Sequence, residues 1–155
     1  MLIVLEGCDG AGKTTVANNL AKVMNADIIH CTTLTPNDMR FFHELIMASR
    51  EKNVIADRFC YGQFVYQEEK ERPLGSIKNL HKLEVEMMAF SAKVIYVTAD
   101  KKDIEERLFD RGETLINGLT ISEVKNRFES VLFEKSLIAS NVLVWDTSKG
   151  GIVEP

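Results

Sequence analysis

Cysteine, proline and tryptophan are scarce in this chain of 155 residues, which has three, three and one of them, and long apolar runs are missing. Cys8, Cys31 and Cys60 lack the spacing of a metal site or a redox pair, so we expect reduced thiols. No apolar stretch reaches the roughly 18 residues that span a bilayer, and the N-terminus lacks the basic region and cleavage site of a signal peptide. We therefore expect a cytoplasmic protein with no membrane partner.

Positive charge is also in deficit, with 19 lysines and arginines against 23 acidic residues and a net charge of −4. Proteins that bind nucleic-acid polymers usually carry a basic patch that displaces counterions, so the composition argues against such a partner. The three histidines are scattered and give no reason to expect zinc. With 45% apolar and 27% charged residues, the chain resembles an ordinary globular protein, and its length predicts a single domain over 1–155.

Apolar runs and helical periodicities alternate along the chain. We expect strands at 1–5, 27–29, 53–56, 94–97 and 142–145, and helices at about 13–24, 38–50, 59–70, 76–91, 101–111 and 121–139. Strands that alternate with helices predict an α/β fold with a five-stranded parallel sheet covered on both faces. Ligands of such sheets bind at the carboxyl ends of the strands.

The clearest motif is a phosphate-binding loop that directly follows the first strand and opens the first helix. Residues 7–14 read Gly-Cys-Asp-Gly-Ala-Gly-Lys-Thr and satisfy the pattern G-x-x-x-x-G-K-[ST]. The backbone N–H groups of such a loop and the helix N-terminus attract a polyphosphate. Lys13 is expected to reach the β and γ phosphates of ATP, and the Thr14 hydroxyl to bind Mg²⁺. The predicted ATP site comprises Gly7, Asp9, Gly10, Ala11, Gly12, Lys13, Thr14 and Thr15 together with Arg107 and Arg111.

Asp9 is unusual in this position, because a carboxylate repels the anion that the loop holds. Two interpretations remain open. Asp9 either faces an acceptor hydroxyl, away from the nucleotide phosphates, or stays solvated without a role.

The third strand ends in a carboxylate next to a guanidinium, Asp57-Arg58, at the edge where the phosphates must lie. Asp57 can hold a magnesium-bound water, and Arg58 can grip a phosphate with two hydrogen bonds; the alternative is an ion pair at the strand end. Gln63 and Tyr66 follow on one helix face and suit a base and a sugar, although ordinary packing would also explain them.

Arg107 and Arg111 lie four residues apart on one predicted helix, just before Gly112. Two arginines on one helix face can close over a triphosphate and neutralise charge that develops during phosphoryl transfer. Gly112 would allow a lid at about 107–120 to move. A surface ion pair between Asp103 and Arg107 is the alternative.

Taken together, these motifs resemble the thymidylate kinase family, in a short form of the kind that phages encode. The loop from Glu6 to Thr15, the Asp57-Arg58 pair and the segment with Gln63, Tyr66 and Gln67 are similar to the family's motifs. The resemblance implies that Asp9 approaches the acceptor's 3′-hydroxyl and Arg58 its phosphate. It also implies that Gln63 meets the pyrimidine and that Tyr66 lies where a ribose 2′-hydroxyl would clash. A homodimer is implied as well.

The chain is shorter than full-length members of that family, mainly between the second strand and Asp57. The missing stretch normally supplies a phenylalanine that stacks on the base and an arginine that binds the phosphate. Here the available substitutes are Arg40 and either Phe41 or Phe42. Because Phe42 falls on the core face of its helix, we expect Phe41 to stack on the base.

The expected reaction is transfer of the γ-phosphoryl group of ATP, with Mg²⁺, to a deoxynucleoside monophosphate, dTMP in the first place, giving dTDP. A monophosphate with a second pKa of about 6 is a competent nucleophile at pH 7 without a general base. Deoxynucleoside kinases, which resemble this architecture, place a carboxylate soon after the second strand, where this chain has His30-Cys31-Thr32. The alternatives are a deoxynucleoside kinase or another monophosphate kinase, a nucleotide-binding module without transfer activity, and a polynucleotide end kinase.

Overall fold

The computed structural model describes residues 1–154 and contains one six-stranded sheet in the order β2-β3-β1-β4-β5-β6. The strands are β1 (Leu2–Glu6), β2 (Asp27–His30), β3 (Val54–Asp57), β4 (Lys93–Thr98), β5 (Val142–Asp146) and β6 (Gly151–Val153). The first five are parallel to one another, as the sequence predicted. The sixth runs antiparallel to β5 and was not predicted, because a strand of three residues that begins with a glycine is too short to show a strand periodicity.

The helices are α1 (Lys13–Met24), α2 (Met39–Ala48), α3 (Tyr61–Tyr66), α4 (Ile77–Ala89), α5 (Lys101–Asp110) and α6 (Ile121–Glu129). The predicted helix at 59–70 was wrong beyond Tyr66, where the chain becomes extended before a short 3₁₀ turn. The predicted helix at 121–139 was also too long, because α6 passes into a π-helical turn, Ser130–Lys135, and the backbone is extended at Ser136.

The centre of the sheet is buried on both faces. Every residue of β1 and β3 is buried, and successive side chains of a strand point to opposite faces, so helices and loops must cover both. On one side of the sheet's first half, α1 packs against β1, β2 and β3. The α/β fold predicted from the sequence is therefore confirmed, with a mixed and mostly parallel sheet.

A carboxylate on α4 lies inside the core. Glu84 of α4 is fully buried and accepts hydrogen bonds from the Tyr61 hydroxyl at 3.0 Å, from the Ser136 hydroxyl and from the Leu137 N–H at 2.9 Å. It thereby ties α3, α4 and the segment after the π-helical turn together.

No helix within residues 1–154 combines the length and the apolar character that crossing a bilayer requires.

Candidate functional site

The loop between β1 and α1 is shaped by close backbone contacts that only glycine allows. Gly7 has a φ of 146°, and a Cβ at this position would lie 2.1 Å from the carbonyl oxygen of Val97 on β4. Gly12 has a φ of 99° and packs against Thr147, which follows β5. The Thr147 hydroxyl also donates a 2.7 Å hydrogen bond to the Ala11 carbonyl. The loop is thus held against β4 and against the residue that follows β5.

Lys13 lies at the centre of this loop and is almost completely buried. Its Nζ donates hydrogen bonds to the carbonyls of Gly7 at 2.7 Å and Cys8 at 2.9 Å. Burial, and then the neighbouring charge of Arg58, lower the pKa of this ammonium. An anionic ligand beside Lys13 would favour the charged form of this ammonium.

Two side chains from other elements contact Asp57, the last residue of β3. Its Oδ2 accepts hydrogen bonds from the Thr14 hydroxyl at 3.1 Å and from His30 Nδ1 at 3.0 Å. Asp57 and Thr14 therefore present two oxygens to one point, which fits a Mg²⁺ ion that takes its other ligands from phosphates and water. The sequence predicted Asp57 and Thr14 at this site and missed His30. His30 reaches Asp57 because it lies at the end of the neighbouring strand β2.

Arg58 follows β3 in a left-handed conformation with a φ of 71°. Its guanidinium forms an ion pair with Asp9, and the alternative of an ion pair between Arg58 and its neighbour Asp57 is not found among residues 1–154. The contact brings the unusual loop carboxylate to the side of the loop where Arg58 lies. Asp9 is 30% exposed and Arg58 51% exposed, so both are accessible to a ligand.

Glu6, the last residue of β1, supports the turn that carries Arg58. Its Oε1 accepts hydrogen bonds from the backbone N–H groups of Phe59 at 2.9 Å and Tyr61 at 3.2 Å. Burial raises the pKa of Glu6 to about 7, although the two backbone donors and the charges of Lys13 and Arg58 oppose this shift. This role was missed because a glutamate before a phosphate-binding loop carries no sequence signal for a contact with residues 59–61.

The two arginines of α5 take different positions. Arg107 donates a 2.8 Å hydrogen bond to the Gly10 carbonyl and a 3.3 Å bond to the Thr147 hydroxyl, and so supports the loop from beneath. Arg111 ends α5 and lines the cavity above the loop. The alternative of an Asp103–Arg107 ion pair is not found, because Asp103 accepts a hydrogen bond from Ser148 instead.

Two adjoining cavities surround these residues. The phosphate cavity, of about 350 Å³, lies over the loop and is lined by Asp9, Gly10, Gly12, Lys13, Thr14, Thr15, His30, Cys31, Thr32, Asp57, Arg58 and Arg111. The second, which we call the acceptor cavity, has a volume of about 500 Å³ and lies between the loop, the 31–37 segment and α3. The two cavities share four residues: Asp9, Cys31, Thr32 and Arg58.

The predicted base- and sugar-binding residues Gln63, Tyr66 and Gln67 all line the acceptor cavity. Gln63 is nearly buried, and its amide donates to the Asn37 carbonyl at 2.7 Å and accepts from the Leu74 N–H at 2.9 Å. Two backbone segments thus fix this side chain. Tyr66 packs edge to face on Phe128, with 5.9 Å between the ring centroids, and burial raises its pKa.

The structure does not bring Arg40 and Phe41 to either cavity. The Arg40 side chain is 86% exposed and pairs with Glu44 on the outside of α2. Phe41 packs against the core next to Phe42. The prediction that these residues contact a ligand therefore has no support in the geometry. The aromatic residues that line the acceptor cavity are instead Phe59, Tyr66 and Phe128.

Comparisons with known proteins find similar folds. No protein-family profile matches the chain. The fold is similar to that of deoxyadenosine kinase from M. mycoides with bound dATP, with a TM-score of 0.61 and 15% identity over 97% of this chain and 95% of the other. It is also similar to thymidylate kinase from Candida albicans, with a TM-score of 0.54 and 16% identity over 94% and 83% of the two chains.

These similarities define the class: the protein has a P-loop fold of the nucleoside and deoxynucleoside kinase type. A nearer relative is the SPbeta prophage-derived uncharacterized protein YorR of Bacillus subtilis (strain 168), which is 33% identical over 153 residues, or 96% of this chain and 90% of YorR. The chain belongs to the YorR family. The crystal structure of YorR in complex with phosphorylated GDP matches with a TM-score of 0.75 and 31% identity over 96% of this chain and 87% of YorR.

Proposed function

We propose that this protein transfers the γ-phosphoryl group of ATP to a deoxynucleoside monophosphate, with dTMP as the first acceptor to test. The observation that carries the proposal is the pair of adjoining cavities, which share Arg58 at their boundary. One cavity contains the phosphate-binding loop, and the other has a volume that suits a nucleoside. A cation between them is what a reaction between two phosphorylated molecules requires.

On the donor side, the loop N–H groups, Lys13 and Arg111 would hold the triphosphate of ATP. Thr14 and Asp57 would hold Mg²⁺, Thr14 directly and Asp57 directly or through a water. The ion would offset the negative charge of the phosphates. Arg107 would act on the loop and not on the phosphates, because its guanidinium is bound to the Gly10 carbonyl.

On the acceptor side, Arg58 is placed to bind a monophosphate and hold it next to the γ-phosphate. Such a binding mode requires Arg58 to exchange part of its contact with Asp9 for a phosphate oxygen, which an arginine with several donors can do. Asp9 would then be available to the acceptor's sugar. A monophosphate is already ionised at pH 7 and needs no general base, which agrees with the absence of an acidic residue from 30–35.

The relative YorR favours one extension of the substrate panel. Its complex contains phosphorylated GDP, so guanine nucleotides should be tested both as donors and as acceptors. If the protein prefers dGMP to dTMP, the assignment of the preferred base changes and the proposed type of reaction does not.

The deciding experiment measures ADP release with ATP and Mg²⁺ against a panel of monophosphates, including dTMP, dGMP, dCMP, dAMP and their ribonucleotide forms, and against the corresponding nucleosides. Turnover with at least one deoxynucleoside monophosphate is expected. Turnover with nucleosides alone would identify a nucleoside kinase and contradict the proposal. Tight ATP binding without turnover of any acceptor would indicate a nucleotide-binding module.

We also propose that the protein forms a homodimer. The exposed side of α4 carries two large apolar residues, Val85 at 56% and Met88 at 44% exposure, which a second copy could cover. Sedimentation equilibrium of the wild type and of Val85→Glu would test this. A monomeric wild type at tens of micromolar would contradict it.

A further inference from the structure

A short hairpin turn after α5 reaches the acceptor cavity. Ile116 and Leu119 exchange two backbone hydrogen bonds of 2.9 Å, and Asn117 and Gly118 between them have φ angles of 50° and 78°. This is a two-residue turn with both central residues in the left-handed region, for which Asn-Gly is the preferred sequence. Ile116 is only 2% exposed and anchors the turn in the core.

The turn and the end of α5 contribute to different cavities. Arg111 lines the phosphate cavity, whereas Asn117 lines the acceptor cavity together with Pro73, Gln67 and Phe128. None of these four residues is shared with the phosphate cavity. Asn117 therefore lines the acceptor cavity and not the phosphate cavity, and in the proposed arrangement we place the base of the acceptor against it.

Four carboxamide side chains line the acceptor cavity, and they fall into two pairs. Asn37 and Gln63 are committed to contacts within the protein: Asn37 donates to the Thr32 carbonyl at 2.7 Å and accepts from the Thr35 hydroxyl at 2.6 Å, and Gln63 is bound to two backbone groups. Within residues 1–154, the amides of Gln67 and Asn117 have no such partner. A carboxamide offers a donor and an acceptor side by side, which matches the polar edge of a base.

The following inference rests on the proposed function. We propose that Asn117 determines base specificity, because its carboxamide forms hydrogen bonds with the polar edge of the acceptor's base. The aromatic side chains Phe59, Tyr66 and Phe128 contact any base through its rings, so they distinguish bases poorly. Asn117 is attached to a turn that the buried Ile116 holds in place. Its side chain therefore adds a directional contact that differs between bases.

The test uses variants that keep the left-handed turn. Asn117→Gly removes the carboxamide, and Asn117→Asp replaces its N–H donors with an acceptor; both residues tolerate this backbone conformation. Equilibrium dissociation constants are measured by titration calorimetry for the panel of monophosphates and for ATP, and kcat and KM for the acceptors that turn over. Asn25→Gly is the matched control, because Asn25 is also left-handed, with a φ of 51°, and lies at the end of α1 outside both cavities.

For Asn117→Gly we expect the dissociation constant of the preferred monophosphate to rise about tenfold, the typical effect of losing one or two hydrogen bonds. The discrimination between bases should fall by the same factor, while the affinity for ATP stays within twofold. Asn117→Asp should shift the preference toward bases that present an amino group at that edge. Asn25→Gly should leave all these constants unchanged.

An equal loss of affinity for every base would overturn the inference and indicate a structural role for the turn. Unchanged discrimination in both Asn117 variants would overturn it as well, as would a wild type that binds no monophosphate at millimolar concentration. A wild type that binds monophosphates and transfers nothing would contradict the proposed function alone, because the dissociation constants would still report on Asn117.

Discussion

Arg58 combines an unfavourable backbone conformation with the most central position in the site. A left-handed conformation costs a residue with a Cβ roughly 1 kcal/mol, and glycine avoids this cost. Arginine at this position therefore makes the protein less stable than it could be. The position of the Arg58 guanidinium at the boundary of the two cavities would explain why arginine stands here despite this loss of stability.

Arg58→Gly separates the two effects. We expect kcat/KM for the acceptor monophosphate to fall by more than about tenfold, because a charge-assisted contact with the phosphate is lost. The free energy of unfolding should stay the same or rise, since glycine relieves the backbone. Steady-state kinetics and urea denaturation measure the two quantities. Arg40→Ala, at an exposed position outside both cavities, is the control, and activity of Arg58→Gly within twofold of the wild type would refute the role of Arg58.

Glu6 makes the stability of the protein depend on pH. The unfolded chain releases this proton near the ordinary pKa of 4.5, whereas the folded protein retains it up to about 7. Between these values the folded state binds more protons than the unfolded state, so the contribution of Glu6 to the free energy of unfolding decreases as the pH rises.

Glu6→Gln should remove this dependence. Relative to the wild type, the variant should gain up to about 3 kcal/mol in free energy of unfolding as the pH rises from 4.5 to 7.5. Urea denaturation of both proteins at several pH values gives the difference directly. A difference that does not change with pH would show that Glu6 does not titrate in this range.

At the scale of elements, α3 has six residues and depends on its neighbours for its position. Glu84 of α4 binds the Tyr61 hydroxyl at the start of α3, and Glu6 binds the N–H of the same residue. Two buried carboxylates from different elements thus fix the first residue of the helix that carries Gln63 and Tyr66. A substitution of Glu84 should therefore strongly affect the stability of the protein, although Glu84 lines neither cavity.

Glu84→Ala should lower the free energy of unfolding by about 3 kcal/mol or more, because it leaves two hydroxyls and one N–H without their partner in the core. Lys78→Ala, at an exposed position of the same helix, should change it by less than about 0.5 kcal/mol. Urea denaturation of the wild type and the two variants gives their free energies of unfolding. A small effect of Glu84→Ala would mean that water or a rearrangement replaces the lost hydrogen bonds.

The sequence predicted the elements whose patterns are local. The five parallel strands and α1 are local in this sense. The contacts of His30 with Asp57 and of Arg107 with Gly10 join residues that are 27 and 97 positions apart, and no local pattern encodes them. The Asn-Gly pair at 117–118 is a local hairpin signal, but its position beside the acceptor cavity depends on how Ile116 packs.

At the scale of the whole molecule, an acidic protein concentrates a few cations at one edge of its sheet. Lys13, Arg58 and Arg111 all line the phosphate cavity, although the net charge is −4. A ligand that binds only the folded protein stabilises it by mass action, by about 2.7 kcal/mol at a hundredfold excess over its dissociation constant.

MgATP at that excess should raise Tm by roughly 5–10 °C, given the usual dependence of Tm on stability for a domain of this size. Lys13→Ala should abolish most of this increase, whereas Lys22→Ala, at an exposed position on α1, should retain it. Differential scanning calorimetry with and without ligand gives each variant its own reference. An equal increase in Lys13→Ala would place ATP elsewhere.

The antiparallel strand β6 also affects how the protein behaves in concentrated solution. It covers the outer edge of β5, pairing Val144 with Val153 and Trp145 with Ile152. The sheet consequently ends in strands of four and three residues, β2 and β6, which offer little backbone for another molecule to pair with. Without β6, the longer and more apolar β5 would become a template for intermolecular strand addition. A chain truncated before Gly151 should therefore aggregate at concentrations at which the chain of 155 residues stays dispersed.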